Sequence, residues 1–197
     1  MFMKKVFLLV LLCLLSLGTT MTSTSFAEVR DDVPIIDERS YFKVGYKSVG
    51  EALKECELLH HRDLRLPIKV PPVPFTLHLA RCVNDKDHHN DELRIKYLNQ
   101  VEGKYNYTIF VRPIEQKIDF GFKKIHFTKS MRLKKTYKLS DGSEAIYFTT
   151  KIPDLGLGDN NFVFENNEWQ YRLSVDSRIE NEVPVSLLIQ VAESVRK

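Results

Sequence analysis

From Phe75 onward, hydrophobic and polar residues alternate along most of the chain. Phe75, Leu77 and Leu79 have polar partners between them, and Leu93, Ile95 and Tyr97 alternate with Glu92, Arg94 and Lys96. Tyr105, Tyr107, Ile109 and Val111 alternate with Asn106, Thr108 and Arg112, while Trp169, Tyr171, Leu173 and Val175 alternate with Gln170, Arg172 and Ser174. Ile118, Phe120 and Phe122 continue the habit. A period of two marks strands with one buried and one wet face, the usual arrangement of an antiparallel sheet. The turns agree. Asp141-Gly142 lies between Tyr137–Leu139 and Ala145–Tyr147, and Asn166-Asn167 lies between Phe162–Phe164 and Trp169. Both pairs tolerate the positive φ angles of tight hairpins.

Two segments have helical spacing instead. Ser48 with Glu51 three residues on is a capping-box signature. Val49, Ala52, Leu53 and Cys56 then predict a helix ending at Leu58 or Leu59. Pro184 opens a second helix, with Val185, Leu188, Ile189, Ala192 and Val195 on one stripe. Between the first helix and the first strand, Pro67, Pro71, Pro72 and Pro74 exclude a helix. They predict an extended connector pinned by Leu66, Ile68, Val70 and Val73. The expected fold is α+β: a single curved antiparallel β-sheet of about seven or eight strands, with the N-terminal and the C-terminal helix covering one face.

The first 27 residues change the picture from fold to compartment. Lys4 and Lys5 precede an apolar run from Val6 to Leu15, extending to Leu17, and Ser25-Phe26-Ala27 supplies a small-x-small exit. This is the pattern of a secretory signal peptide, cleaved after Ala27. The run is short for a membrane span, which needs about 20 apolar residues, and no later segment approaches that length. Residues 28–46 mix charge with Pro34 and read as an extended lead-in or linker, leaving 47–197 as a single α+β domain. Cys13 sits inside the apolar run without the small residues that a lipoprotein signal places before its cysteine. Cys56 and Cys82 remain in a compartment that permits a disulfide. Cys56 faces the apolar side of its helix, whereas Cys82 has the opposite parity to Leu77 and Leu79. Two buried thiols are therefore favoured over a bridge.

These features together resemble the family called domain of unknown function 4367, extracytoplasmic proteins of Gram-positive bacteria. The residues that carry the likeness are Ser48-Val49 with Glu51-Ala52, Pro67 to Pro71, Asp91 to Tyr97, Gly142 to Tyr147, Tyr171-Arg172-Leu173, Leu187-Leu188-Ile189 and Ala192-Glu193-Ser194. The resemblance spans about residues 48 to 197. It implies an extracytoplasmic setting and supplies no activity and no catalytic residue. The cleavable leader departs from relatives that keep an anchor.

Candidate chemistry is sparse. There is no nucleophile elbow, zinc-protease helix or phosphate-cradling glycine loop, so no catalytic residue, cofactor or metal site is assigned and a non-enzymatic role is expected. Asp85 to Asp91, with His88 and His89, is the densest group of donors but reads as a solvated hairpin loop. His60-His61 reads as a pair at a helix C-terminus, where a cation suits the dipole, with pH sensing as the sharper alternative.

Charge nearly cancels: without the leader, 27 basic residues face 26 acidic ones. That balance gives no argument for nucleic acid. It is uneven locally. Lys117, Lys123, Lys124, Lys129, Arg132, Lys134, Lys135 and Lys138 lie close together with Asp119 as the one acid among them. Such a segment fits either a solvated face or a patch for an anionic surface. The expectation is an exported, monomeric binding or interaction domain at the bacterial cell envelope, secreted or envelope-bound. Its partner would be an envelope protein or an anionic surface. The alternative is a carrier sheltering an apolar ligand between sheet and helices, in a cavity lined by residues such as Phe120, Tyr107 and Trp169.

Overall fold

A computed structural model of the chain describes residues 38–85, 90–101, 105–120, 131–151 and 157–195. Seven strands form one open sheet: β1 Leu77–Val83, β2 Glu92–Leu98, β3 Asn106–Pro113, β4 Met131–Lys138, β5 Glu144–Lys151, β6 Gly158–Asn166 and β7 Trp169–Asp176. Their order is β1-β2-β3-β7-β6-β5-β4 and every pairing is antiparallel. One meander therefore runs from an edge to the centre. A second starts at the far edge and returns until β7 docks on β3. Three helices accompany the sheet: α1 Glu38–Lys43, α2 Val49–His60 and α3 Val185–Ala192. Among the described residues no helix is long and apolar enough to cross a membrane.

Local chemistry explains the punctuation. At the start of α2 the Ser48 hydroxyl accepts from the Glu51 N–H, and the Glu51 carboxylate accepts from the Ser48 N–H at 3.2 Å, the reciprocal capping box its sequence predicts. The β4–β5 turn places Gly142 at φ +87°. The β6–β7 pairing matches Asn166 with Trp169, so the turn is Asn167-Glu168, one residue later than the sequence suggests, with Asn167 at φ +52°. Gly158 opens β6 so close to β5 that an added Cβ would lie 2.0 Å from the Thr150 carbonyl oxygen.

The lead-in differs from its expected extended form over Glu38–Lys43, which is helical. Gly45, at φ +87°, lets the chain turn so that the Gly45 and Tyr46 N–H groups bond back to Phe42 and Tyr41 carbonyls. Tyr41 then packs edge-on against Tyr46, with ring centroids 5.2 Å apart. This closure is local and leaves no amphipathic period to read. Lys47 next pairs with Ala80 on the outer side of β1, by bonds of 2.7 and 2.9 Å. No described strand pairs with the outer side of β4.

Strand register divides the side chains into two layers. On the first, Ala80, Leu93, Ile95, Ile109, Val111, Tyr171, Leu173, Val175, Phe162 and Ala145 share one buried cluster with Ala52 and Cys56 of α2 and Leu188, Val191 and Ala192 of α3. Fully burying one Leu or Ile here contributes about 2 kcal/mol. Of the expected α3 stripe, Leu188, Ala192 and Val195 are buried and Val185 and Ile189 pack partly buried against the same cluster, which also takes in Val191. The connector is held by hydrogen bonds as much as by apolar pins. Trp169 Nε1 donates to the Asp63 carbonyl at 2.8 Å and the Tyr171 hydroxyl to that of Arg65 at 2.7 Å. Of the expected pins, Leu66 and Val73 pack against the core, while Ile68 and Val70 are exposed.

Cys56 and Cys82 form a disulfide, with Cα atoms 5.5 Å apart, which corrects the expectation of two free thiols. The error was parity. Ala80 pairs with Ile95 and Cys82 with Leu93, so the even positions of β1 face α2, and Leu77 and Leu79 face the other layer. The small Ala80 lets the helix approach, and α2 carries Cys56 to Cys82.

Tyr107 is 0% exposed, and its hydroxyl has no hydrogen-bond partner in the structure. A buried hydroxyl without a partner costs about 1–3 kcal/mol. Tyr107→Phe is therefore expected to raise stability by about 1 kcal/mol in urea melts. A loss of that size would instead place an ordered water on the hydroxyl.

Candidate functional site

The second layer of the sheet is polar. Across three adjacent strands, Arg94 pairs with Phe110 and Phe110 with Arg172. The next row is Lys96, Thr108, Ser174 and Asn161, and beyond it Asp176 pairs with Asp159. The expected wet face is thus only partly wet: Glu92, Thr108, Arg112, Ser174 and Asp176 are buried.

Two structures cover its flanks. Near β1, Tyr46 is buried with the Arg81 guanidinium 5.0 Å from its ring, and it hydrogen-bonds Arg94. Near β5 and β6, Ile118 and Phe120 pack on Ile146, Phe148 and Val163. Ile118 was expected to lie in a strand, yet the chain there is not one. Its N–H and C=O are both taken by the Gln170 side-chain amide, at 2.9 Å each, which replaces a strand partner. Phe122 lies outside the described residues.

Between these flanks lies a patch of cations. The Arg172 guanidinium sits 3.8 Å from the centroid of the Phe110 ring, and Arg94 5.2 Å from the same centroid. Glu92 accepts from Arg94 and, at 2.8 Å, from Arg112, so one carboxylate serves two guanidiniums. Arg178 takes Asp176, with Nε 2.9 Å from Oδ1. Among the described residues neither Lys96 nor Arg172 is in an ion pair. Burial, then the charge of Arg94 and Arg81, lowers the affinity of Lys96 for its proton. Burial also lowers that of Arg172, even with Glu92 and Asp159 in range. Asp159 is pushed above the usual carboxylate range, first by burial and then by Asp176. The layer is thus rich in positive charge that water screens poorly.

The basic segment singled out in the sequence is dispersed. Lys117 pairs with Glu165 at 2.8 Å. Arg132, Lys134, Lys135 and Lys138 fall on the edge strand β4, interrupted by a register shift between Leu133 and Lys135. Lys135 pairs with Tyr147 and Lys138 with Glu144, positions of opposite parity and hence on opposite faces. Lysines on an edge strand also deter pairing with other chains. Lys123, Lys124 and Lys129 lie outside the described residues.

The remaining candidates resolve separately. Tyr107 and Trp169 belong to the main core, whereas Phe120 belongs to the smaller cluster on the other layer, so the three residues expected around a carrier cavity do not line a common one. An open pocket of about 430 Å³ is lined by Arg62, Arg65, Glu168, Trp169 and neighbours. There Arg62 is held by both oxygens of Glu115, at 2.8 and 3.2 Å. In the donor-rich loop, residues 86–89 lie outside the described ones. Asp91 accepts from the Asp85 N–H at 2.7 Å and from the Gln116 amide at 3.0 Å, as a loop brace does. No group of three or more His, Cys, Asp or Glu is placed to hold a metal among the described residues.

His61 terminates α2 at φ 52°, and His60 lies edge-on to Trp169 with centroids 5.5 Å apart. Burial depresses the His60 proton affinity below the ordinary 6.5, and its Nε2 has no hydrogen-bond partner in the structure. Below about pH 6.5 the unfolded chain takes up a proton that the folded one resists, so this site's contribution to stability falls as pH drops. Urea melts between about pH 7.5 and 5.5 should show an acid-side loss that is smaller in His60→Phe; equal losses in both proteins would contradict this.

The cationic patch was missed because sequence alternation assigns Arg94, Lys96 and Arg172 to a solvated face. The available signal was their position on two interior strands, β2 and β7, with too few acids between them. Comparison of the chain with protein-family models, with curated proteins and with solved structures finds no match.

Proposed function

We propose that this chain is an exported, non-enzymatic, monomeric binding domain that engages an anionic component of the bacterial envelope through the polar layer of its sheet. In this reading the two longer helices shield the other side of a curved sheet, and the setting is the Gram-positive envelope that the resemblance to domain of unknown function 4367 implies. The carrying observation is the patch itself: Lys96 and Arg172, partly withdrawn from water and without a described ion pair, beside Arg94. Half-desolvated cations attract an anion more strongly than solvated lysines do. The Cys56–Cys82 bridge supports an oxidising compartment. The carrier alternative is less well supported, because its proposed lining is split between two clusters.

The test is cosedimentation with vesicles of phosphatidylglycerol and phosphatidylcholine, against phosphatidylcholine alone. Binding should need the anionic lipid, weaken with salt, and fall about tenfold in Arg172→Gln. Salt-insensitive binding, or none, would remove the reading. Mass spectrometry of the protein recovered from culture medium should find Glu28 at its N-terminus.

A further inference from the structure

Resting on the reading of the polar layer as a binding surface, we infer that Arg94, Lys96 and Arg172 form a site for one tetrahedral oxyanion of the phosphate class, free or ester-linked. The charge count comes first. Glu92 is shared by Arg94 and Arg112, and Asp176 is held by Arg178. Asp159 is then the carboxylate that acts on both Lys96 and Arg172, although Glu92 acts more strongly on Arg172. Five cations in the layer (Arg81, Arg94, Lys96, Arg112, Arg172) thus face two carboxylates, Glu92 and Asp159, leaving a positive surplus that a bound dianion largely offsets.

Geometry gives the site its size. Arg94 and Arg172 stand on β2 and β7, two strand spacings apart, or about 10 Å between backbones. Both guanidiniums converge on Phe110, which lies between them as an apolar floor. The ring beneath Arg172 leaves its N–H edge to point sideways, where an oxyanion can take it, while Arg94, whose Nε and Nη2 serve Glu92, adds charge from β2. Lys96 stands in the next row, in line with the hydroxyl-bearing Thr108 and Ser174, its ammonium 5.9 Å from the centroid of the Tyr41 ring. Positive charge on three sides suits a compact dianion better than a singly charged carboxylate. The zone is also bounded: Glu92 closes one end, and Asp159 and Asp176 the other. An acid at each end admits a single anionic group and repels a long run of them.

The decisive measurement is calorimetric titration of the intact mature protein with inorganic phosphate, with sodium chloride adjusted to hold ionic strength constant. Saturable one-to-one binding is expected, weakened about tenfold or more in Lys96→Gln and in Arg172→Lys. Lys135→Gln, on β4, should bind like the parent. Thermal melts identify any variant that fails to fold; Lys96→Gln is the fallback because Lys96 lies nearer the edge of the sheet than Arg172. Glycerol phosphate in a parallel titration separates the sources: tighter binding than inorganic phosphate points to an ester-linked group, equal or weaker binding to the free ion. If folded parent protein sediments with anionic vesicles but gives no saturable phosphate binding, the oxyanion site is wrong and the surface reading stands. If neither occurs, both fall. Phosphate binding unchanged in both Lys96→Gln and Arg172→Lys also overturns the site.

Discussion

Replacing Cys56 and Cys82 together by alanine is expected to lower stability by about 3.5 kcal/mol. The bridge closes a loop across a sequence separation of 26, and the chain-entropy relation converts that length to the stated loss. For a domain of this size the midpoint of thermal unfolding should fall by about 10 °C. The bridge also joins α2 to β1 across the main core, so the loss should be accompanied by faster amide exchange along α2 than along β3 or β7. A reducing agent should reproduce the effect in the parent protein and leave the double variant unchanged. A loss below about 1 kcal/mol would mean that the apolar contacts of Ala52 and Leu53 already hold the helix in place.

The second large effect is at Glu92. Its side chain is 4% exposed and receives two guanidiniums, one of them from Arg112, which is itself 9% exposed at the side chain. Removing its charge leaves both cations without their shared counterion in a poorly hydrated layer. Breaking a buried pair in this way costs about 3–5 kcal/mol. Glu92→Gln should therefore unfold at clearly lower urea, while Glu144→Gln, at an exposed position of β5, should stay within about 0.5 kcal/mol of the parent. Adding Arg112→Met to Glu92→Gln should recover part of the loss, because one orphaned charge is removed. Equal stability of Glu92→Gln and the parent would show the layer to be wetter than its burial indicates.

Much of the frame could be read from residue order alone. Alternation in β2, β3 and β7 identified the buried residues Leu93, Ile95, Tyr107, Ile109, Leu173 and Val175, and Ser48 with Glu51 announced α2. The reading failed where partners distant in sequence decide the outcome. In β1 two large apolar residues, Leu77 and Leu79, suggested a parity that the pairing of Cys82 with Leu93 reverses. At Ile118 a side-chain amide from β7 takes the place of a strand, and no local pattern signals that. The candidate site was hidden for a related reason. Alternation distinguishes inside from outside but cannot say that Tyr46 and Phe120 will partly roof the outside, turning ordinary surface cations into desolvated ones.

The two margins of the sheet also differ. On one, Lys47 already occupies the outer hydrogen-bonding groups of Ala80; on the other, β4 has no described neighbour. Growth of a fibre by strand addition needs two free margins on every molecule. Lys47 blocks the β1 margin at Ala80 alone, so a strand joining along β1 would first have to displace Lys47, a local barrier to growth in that direction.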